Sequence, residues 1–348
     1  MQQALTVSRT EIGGPDSVPP GQSVQLVATA FLSDGTSRDV TAETAWESHN
    51  GALMSISRTG LVTASDQRGE GDIIARYTGL PAVRRGAEFA SRKQFVLPVG
   101  TYRLYGFIKD EDVYLNGVRV ELTAGPAAGM AVTANGFFYF YGVSGETEIR
   151  VSKEGYETQI RRTLVSSHQT EAFQLAISAP RPVVDGTYTL RISAAAECRA
   201  SLPESTRARV YTVVLSQSGA RLTGALEAAR ITMTAPYYPS NAFSGTVEPK
   251  RVLFTLSSYG GDAPGDFYPP SLLEEISPAP PSGERGPILL TIYGSVVAAA
   301  TGNGYTGTLN GAFEVLITPG HWEYGSAEQV SACVSASHPV DLLRDRRP

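Results

Sequence analysis

The chain has 348 residues, 42% of them hydrophobic and 18% charged, which is the make-up of a folded protein with room for two or three cores rather than a disordered one. The formal net charge of -5, with no basic run beyond Arg84-Arg85, Arg92-Lys93 and the C-terminal tail, excludes an electrostatic footprint for nucleic acid. Its 35 glycines and 22 prolines point to short strands joined by turns, and no window approaches the 18 consecutive apolar residues of a membrane-spanning helix.

The N-terminal stretch "MQQALTVSRT" has neither a charged n-region nor an apolar h-region, so it is not a signal peptide. Two readings stay open: a protein kept inside the cell, or a mature chain whose leader has been replaced by a start Met. From residue 4 to about 97 the pattern is strand and turn. Val24, Leu26, Ala28 and Ala30 alternate with Ser23, Gln25 and Thr29, as on a half-buried strand. Asp34-Gly35 supplies a tight hairpin turn, Gly60 a second turn, and Trp46 the one large core residue at a strand end. The sequence "LVATAFLSDGTSRDVTAETAW", followed by "ISRTGLVTA" and "IIARYTG", resembles the bacterial immunoglobulin-like group 2 (BIG2) domains. The resemblance implies a β-sandwich of the kind found in bacterial adhesins and beside surface enzymes, and hence an exported protein that is extracellular, on the cell surface or periplasmic.

Residues 98 to 178 repeat the strand grammar with another signature. Val118, Val120 and Leu122 share a face after Asn116-Gly117, and Asn135-Gly136 predicts a second hairpin leading into the aromatic run "FFYFY". The motifs "GVRVEL", "TANGFFYFYGV" and "VSKEGY" resemble the carboxypeptidase regulatory-like module, a transthyretin-like sandwich related to starch-binding domains. Asn135 stands where that family usually has an acidic residue, which argues against a metal at the turn. No peptidase domain accompanies the module, so the family name implies no enzyme.

The Pro-rich stretch "ISAPRPVVDG", residues 177 to 186, reads as a linker to a third module at 185 to 348. There, Tyr188, Leu190 and Ile192 alternate with polar neighbours, and hairpins turn at Ser218-Gly219, near Pro249-Lys250 and at Gly302-Asn303-Gly304. In the last hairpin Tyr305, Leu309, Phe313, Val315 and Ile317 share a face. Seven or eight such strands in succession predict an antiparallel up-and-down β-barrel, because closure removes the edges. The segment 261 to 287 is an excursion over one barrel end, with a helical turn at Ser271 to Ile276. The fold class expected is therefore all-β: two sandwiches and a barrel.

Candidate chemistry is sparse. The four histidines, His49, His168, His321 and His338, fall in different modules with no nucleophile signature near them, and His338 reads as a surface residue. Asp16, Asp34, Asp39 and Glu43 form no calcium loop, and two cysteines 135 positions apart have no zinc spacing, so no metal and no cofactor is expected. Glu274 and Glu275 read as solvated loop carboxylates with no catalytic role. Within "FFYFY", a period of two sends Phe138 and Phe140 inward and leaves Phe137, Tyr139 and Tyr141 side by side on the outer face. That face is a candidate platform for a polysaccharide, since sugar rings pair an apolar C–H face with a hydrogen-bonding edge; the alternative is that it packs against a neighbouring module. Gly224, Gly294, Gly307 and Gly311 either leave room for a ligand inside the barrel or mark bends, and a filled barrel is the simpler expectation. Cys198 and Cys333 follow the first strand and the last hairpin, which are neighbours in a closed meander, so a disulfide between them would lock the seam and place the chain in an oxidising compartment. The functional expectation is a non-enzymatic, secreted or cell-surface binding or adhesion protein whose partner is a glycan or another surface protein. The other reading is a small-ligand carrier or enzyme with its site in the barrel mouth.

Overall fold

A computed structural model describes residues 4–227, 241–257, 271–277, 285–319 and 328–345, apart from the side chains of 285, 318 and 319. About 66% of the chain is strand, and no helix among the described residues reaches seven residues. The protein is all-β, and it divides into two compact units. Unit 1 comprises 1–108, 115–152 and 158–173; unit 2 comprises 109–114, 153–157 and 174–348.

Unit 1 begins with a sandwich of three small sheets. Val27–Leu32 lies between Val7–Gly13 and Ser37–Asp39, while Gly69–Tyr77 lies between Phe89–Val96 and Thr44–Ser48. The predicted Asp34-Gly35 hairpin is present: Gly35 takes a positive φ, and Asp34 Oδ1 accepts from the backbone N–H of Thr36 at 2.9 Å. Leu26, Ala28 and Ala30 are buried as the alternation requires, yet Ser23–Gln25 and Val27–Leu32 belong to different sheets. The chain changes sheet at Leu26, whose N–H donates to Gly60 O at 2.9 Å. The core lies in two clusters, one around Tyr77 and Val40 and one around Leu26, Met54 and Ile73. Trp46 is not the one large core residue. It sits in mid-strand, half-buried, donates Nε1–H to Thr41 O at 3.0 Å, and packs against both clusters.

Two further sheets follow. In one, Tyr102–Asp110 pairs with Phe137–Val143 on one side and Gln169–Gln174 on the other. In the other the order is Ala131–Asn135, Asn116–Ala124, Gly145–Ser152, Gln159–Val165. Val118, Val120 and Leu122 are buried together with Phe138 and Phe140, each contributing about 1.5–3 kcal/mol of transfer free energy. Asn135-Gly136 does not close a hairpin. Gly136 has a positive φ, but the strands on either side of it lie in different sheets; its N–H donates to Leu115 O and its carbonyl accepts from Ile108 N–H.

Unit 2 holds the barrel. Its eight strands run Gly186–Ser193, Ala208–Ser218, Arg221–Glu227, Ala242–Glu248, Arg251–Leu256, Arg285–Thr301, Gly304–Pro319 and Glu328–Arg344, each antiparallel to the next. The last pairs with the first, from Tyr188 opposite Arg344 to Ile192 opposite Val340, and the ring closes. One apolar cluster fills the interior, including Tyr188, Leu190, Val213, Phe254, Leu309, Phe313 and Leu342. The outer face carries exposed Arg191, Ser216, Thr223, Ser244 and Thr255, the reverse of the alternation in lipid-facing barrels. No helix among the described residues is long and apolar enough to cross a membrane.

The glycines do not open a cavity. A Cβ on Gly224 would stand 2.1 Å from the Phe243 ring, and one on Gly307 or Gly311 would stand 1.9 Å from a backbone oxygen of the neighbouring strand. They permit close approach, as does Gly294, at φ +137, where a Cβ would stand 2.3 Å from Asn310 O. Val184 joins the barrel core, so the predicted linker is anchored before it ends. The described part of the 261 to 287 excursion is not helical: Leu273–Ser277 is a strand paired with the first half of Arg285–Thr301. The rest of that excursion, and His321, lie outside the described residues.

Candidate functional site

Strand periodicity places the candidate platform where the sequence puts it. On Phe137–Val143 the side chains of Phe138 and Phe140 are buried, while Phe137 is 39% and Tyr139 43% exposed. Tyr141 shares their face and is half-buried beside Glu70, so the face is part open and part packed. The register adds residues that sequence reading missed. Tyr105 lies opposite Tyr139, Phe107 opposite Phe137 and Arg103 opposite Tyr141. The rings of Tyr105 and Tyr139 have centroids 4.9 Å apart, and those of Tyr139 and Tyr141 are 6.3 Å apart and within 9° of parallel. Five aromatic side chains from two adjacent strands thus form one surface. The signal was the same parity rule, applied to "YRLYGF": Arg103, Tyr105 and Phe107 alternate with buried Leu104 and Ile108.

The charges around this surface are ordered. Glu70 receives Arg103 at 3.0 Å and Lys93 at 3.0 Å, and the Arg103 guanidinium lies 5.5 Å from the centroid of Tyr105. Burial, followed by the nearby Glu70 carboxylate, pushes the Tyr141 hydroxyl up to about 12, so it stays protonated and able to donate. Nothing here resembles a nucleophile with its base. Among the described residues no group of three or more His, Cys, Asp or Glu could hold a metal ion.

The other sequence candidates are structural. Cys198 and Cys333 form a disulfide with Cα atoms 5.6 Å apart. Cys198 sits in the short 3-10 turn Ala196–Ala200 that follows the first barrel strand, and Cys333 lies on the last strand beyond the stretch paired with the first. The bridge therefore extends the seam past its last ladder hydrogen bond. His338 is not at the surface. It is fully buried, its Nδ1 accepts from Ala195 N–H at 3.0 Å, and Nε2–H donates to Gly311 O at 3.2 Å. Burial holds its pKa below the ordinary 6.5, outweighing the Gly311 carbonyl and Glu197. His168 accepts from Arg103 N–H through Nδ1 at 3.0 Å and stacks on Phe95 at 4.0 Å, and His49 lies 3.3 Å from Glu47. Glu274 is not a solvated loop carboxylate: it is on a strand and accepts from Arg209 Nε at 2.8 Å and Tyr211 OH at 2.9 Å. Unit 2 also buries an ion pair, Lys153 with Glu248 at 3.2 Å, and Asp110 accepts from Tyr156 OH at 2.8 Å and from Arg181. Desolvation lowers the Lys153 pKa despite Glu248. These groups pair chiefly with one another, although the buried Arg181 Nε has no hydrogen-bond partner among the described residues, and this is the pattern of a structural network.

No family model matches the chain, and no curated protein matches it. Among solved structures the chain is similar to a Bacteroides fragilis protein of unknown function, 12% identical over 70% of this chain and 98% of that one, with a TM-score of 0.18. It is also similar to the Bacillus anthracis TIE protein, 10% identical over 97% of this chain and 73% of that one, with a TM-score of 0.19. At such scores neither likeness carries an argument about function.

Proposed function

We propose that the chain is a non-catalytic binding protein, exported to the cell surface or an oxidising compartment, which recognises a polysaccharide through Phe137, Tyr139 and Tyr141. One observation carries this reading: five aromatic side chains share an outer sheet face on which Phe137 and Tyr139 remain about 40% exposed. Aromatic side chains at that exposure are costly to leave in water and are suited to stacking against the C–H face of a sugar ring. The resemblance of 4–97 to BIG2 domains and of 98–178 to carboxypeptidase regulatory-like modules fits a surface protein, and the Cys198–Cys333 bridge fits an oxidising environment. The carrier or enzyme reading finds less support, because side chains occupy the described barrel interior.

The test is affinity electrophoresis of the full chain through gels containing a panel of neutral and acidic polysaccharides. Retardation by at least one polymer is expected, with Tyr139→Ala weakening it about tenfold, the size of one lost aromatic contact. Equal mobility of wild type and Tyr139→Ala in every gel would reject the platform.

A further inference from the structure

Beside Tyr139 and Tyr141 the surface dips into a shallow groove of about 370 Å³, lined also by Met130, Ala131, Val132 and Arg68. Arg68 comes from the turn before Gly69–Tyr77 and lies within the same unit as the platform. Its side chain crosses Gly142, which has φ +88; a Cβ there would stand 2.7 Å from Nη1. A side chain at 142 would push the guanidinium aside, and the positive φ favours glycine there. The cations nearby are committed, since Lys93 and Arg103 both pair with Glu70. Arg68 forms no ion pair among the described residues. Glu70 is paired with Arg103 and Lys93, which also reaches Asp72 at 3.6 Å, so the groove combines aromatic side chains with a cation that no carboxylate pairs among the described residues.

Resting on the glycan reading of the platform, we propose that this groove selects acidic polysaccharides, binding a uronate carboxylate at Arg68 while the sugar rings stack on Tyr139 and Tyr141. A guanidinium offers two parallel N–H donors whose spacing matches a carboxylate, and such a charge-assisted pair is stronger and more directional than a neutral hydrogen bond. The two nearly parallel tyrosine rings extend along one strand, so the ligand is a chain of sugars rather than a single one.

The full chain is titrated calorimetrically with polygalacturonate and with the same polymer fully methyl-esterified, which keeps the sugar backbone and removes the charge. Wild type should bind the free acid roughly tenfold to a hundredfold more tightly, the range of one charge-assisted hydrogen bond. Added salt should erode that preference. Arg68→Gln should abolish the preference by weakening the free acid far more than the ester, and Tyr139→Ala should weaken both. Equal affinity of wild type for acid and ester, or a preference that survives Arg68→Gln, would overturn the acidic selectivity and leave the platform standing. Tighter binding of dextran sulfate than of polygalacturonate would overturn the carboxylate assignment. Absence of binding to every polymer would remove both readings.

Discussion

A buried histidine makes the sharpest residue-scale case. His338 is fully enclosed with one nitrogen accepting and the other donating, a pattern that fits only the neutral ring protonated at Nε2. Protonation would put a hydrogen on Nδ1, facing the Ala195 N–H, and a charge in the barrel core. Its folded pKa is lowered and its unfolded value is near 6.5, so below about pH 6.5 the unfolded chain binds more protons than the folded one. Stability should therefore be intact above that pH and fall as pH drops through 6.5 toward the depressed folded value. His168 is shifted in the same direction, also chiefly by burial, so a variant is needed to separate them. Urea midpoints between pH 7.5 and 5.5 should decline for wild type and decline less steeply for His338→Gln, whose amide can retain a donor and an acceptor. Identical slopes would remove His338 as the source. Its position five residues from Cys333 did not announce burial, because the groups that meet it, Ala195, Gly311 and Phe313, are far away in sequence.

At the scale of elements, alternation was the readable signal. Phe138 and Phe140 against Phe137 and Tyr139, the inward set Tyr188, Leu190 and Ile192, and the hairpin turns at Gly219 and Gly304 all follow from a period of two and a few turn residues. Turn chemistry was less informative about partners. Asn135-Gly136 specifies a backbone reversal, not which sheet the next strand joins, and Leu273–Ser277 is too short to show a period before Arg285–Thr301 pairs with it. The outer aromatics on Tyr102–Asp110 were visible by parity, but the register that sets them against Phe137–Val143 was not. The barrel glycines show why composition alone could not separate room from closeness. Gly311 faces Gly294 across the ladder, and a Cβ on it would lie 1.9 Å from Tyr293 O. Gly311→Val should destabilise unit 2 by about 1–3 kcal/mol or more. Gly302→Val, at a turn where a Cβ meets nothing within 4 Å, should change stability little by comparison. Equal losses in thermal melts of the two variants would contradict the close-approach account.

For the whole molecule, the organising fact is that two compact units have cores of their own, clusters around Tyr77 and Leu26 in unit 1 and the barrel interior in unit 2. A chain of this kind is expected to lose them in separable transitions rather than in one two-state step. The disulfide belongs wholly to unit 2 and closes a loop of 135 residues. In the chain-entropy model a loop of that length restricts the unfolded barrel by about 5 kcal/mol, and native disulfides of measured proteins are worth about 2–5 kcal/mol. The seam gives the bridge a second task. The ladder between first and last strands ends at Ile192 opposite Val340, and the bridge holds the chain just beyond that end, where His338 and the 3-10 turn also meet. Reduction, or the pair Cys198→Ser and Cys333→Ser, should thus lower the calorimetric transition of unit 2 and leave that of unit 1 where it was. Hydrogen exchange should show the loss first at residues 186 to 200 and 333 to 344, the two sides of the seam. Were both transitions to shift equally, or were exchange to rise evenly around the barrel, the bridge would not be a seam lock.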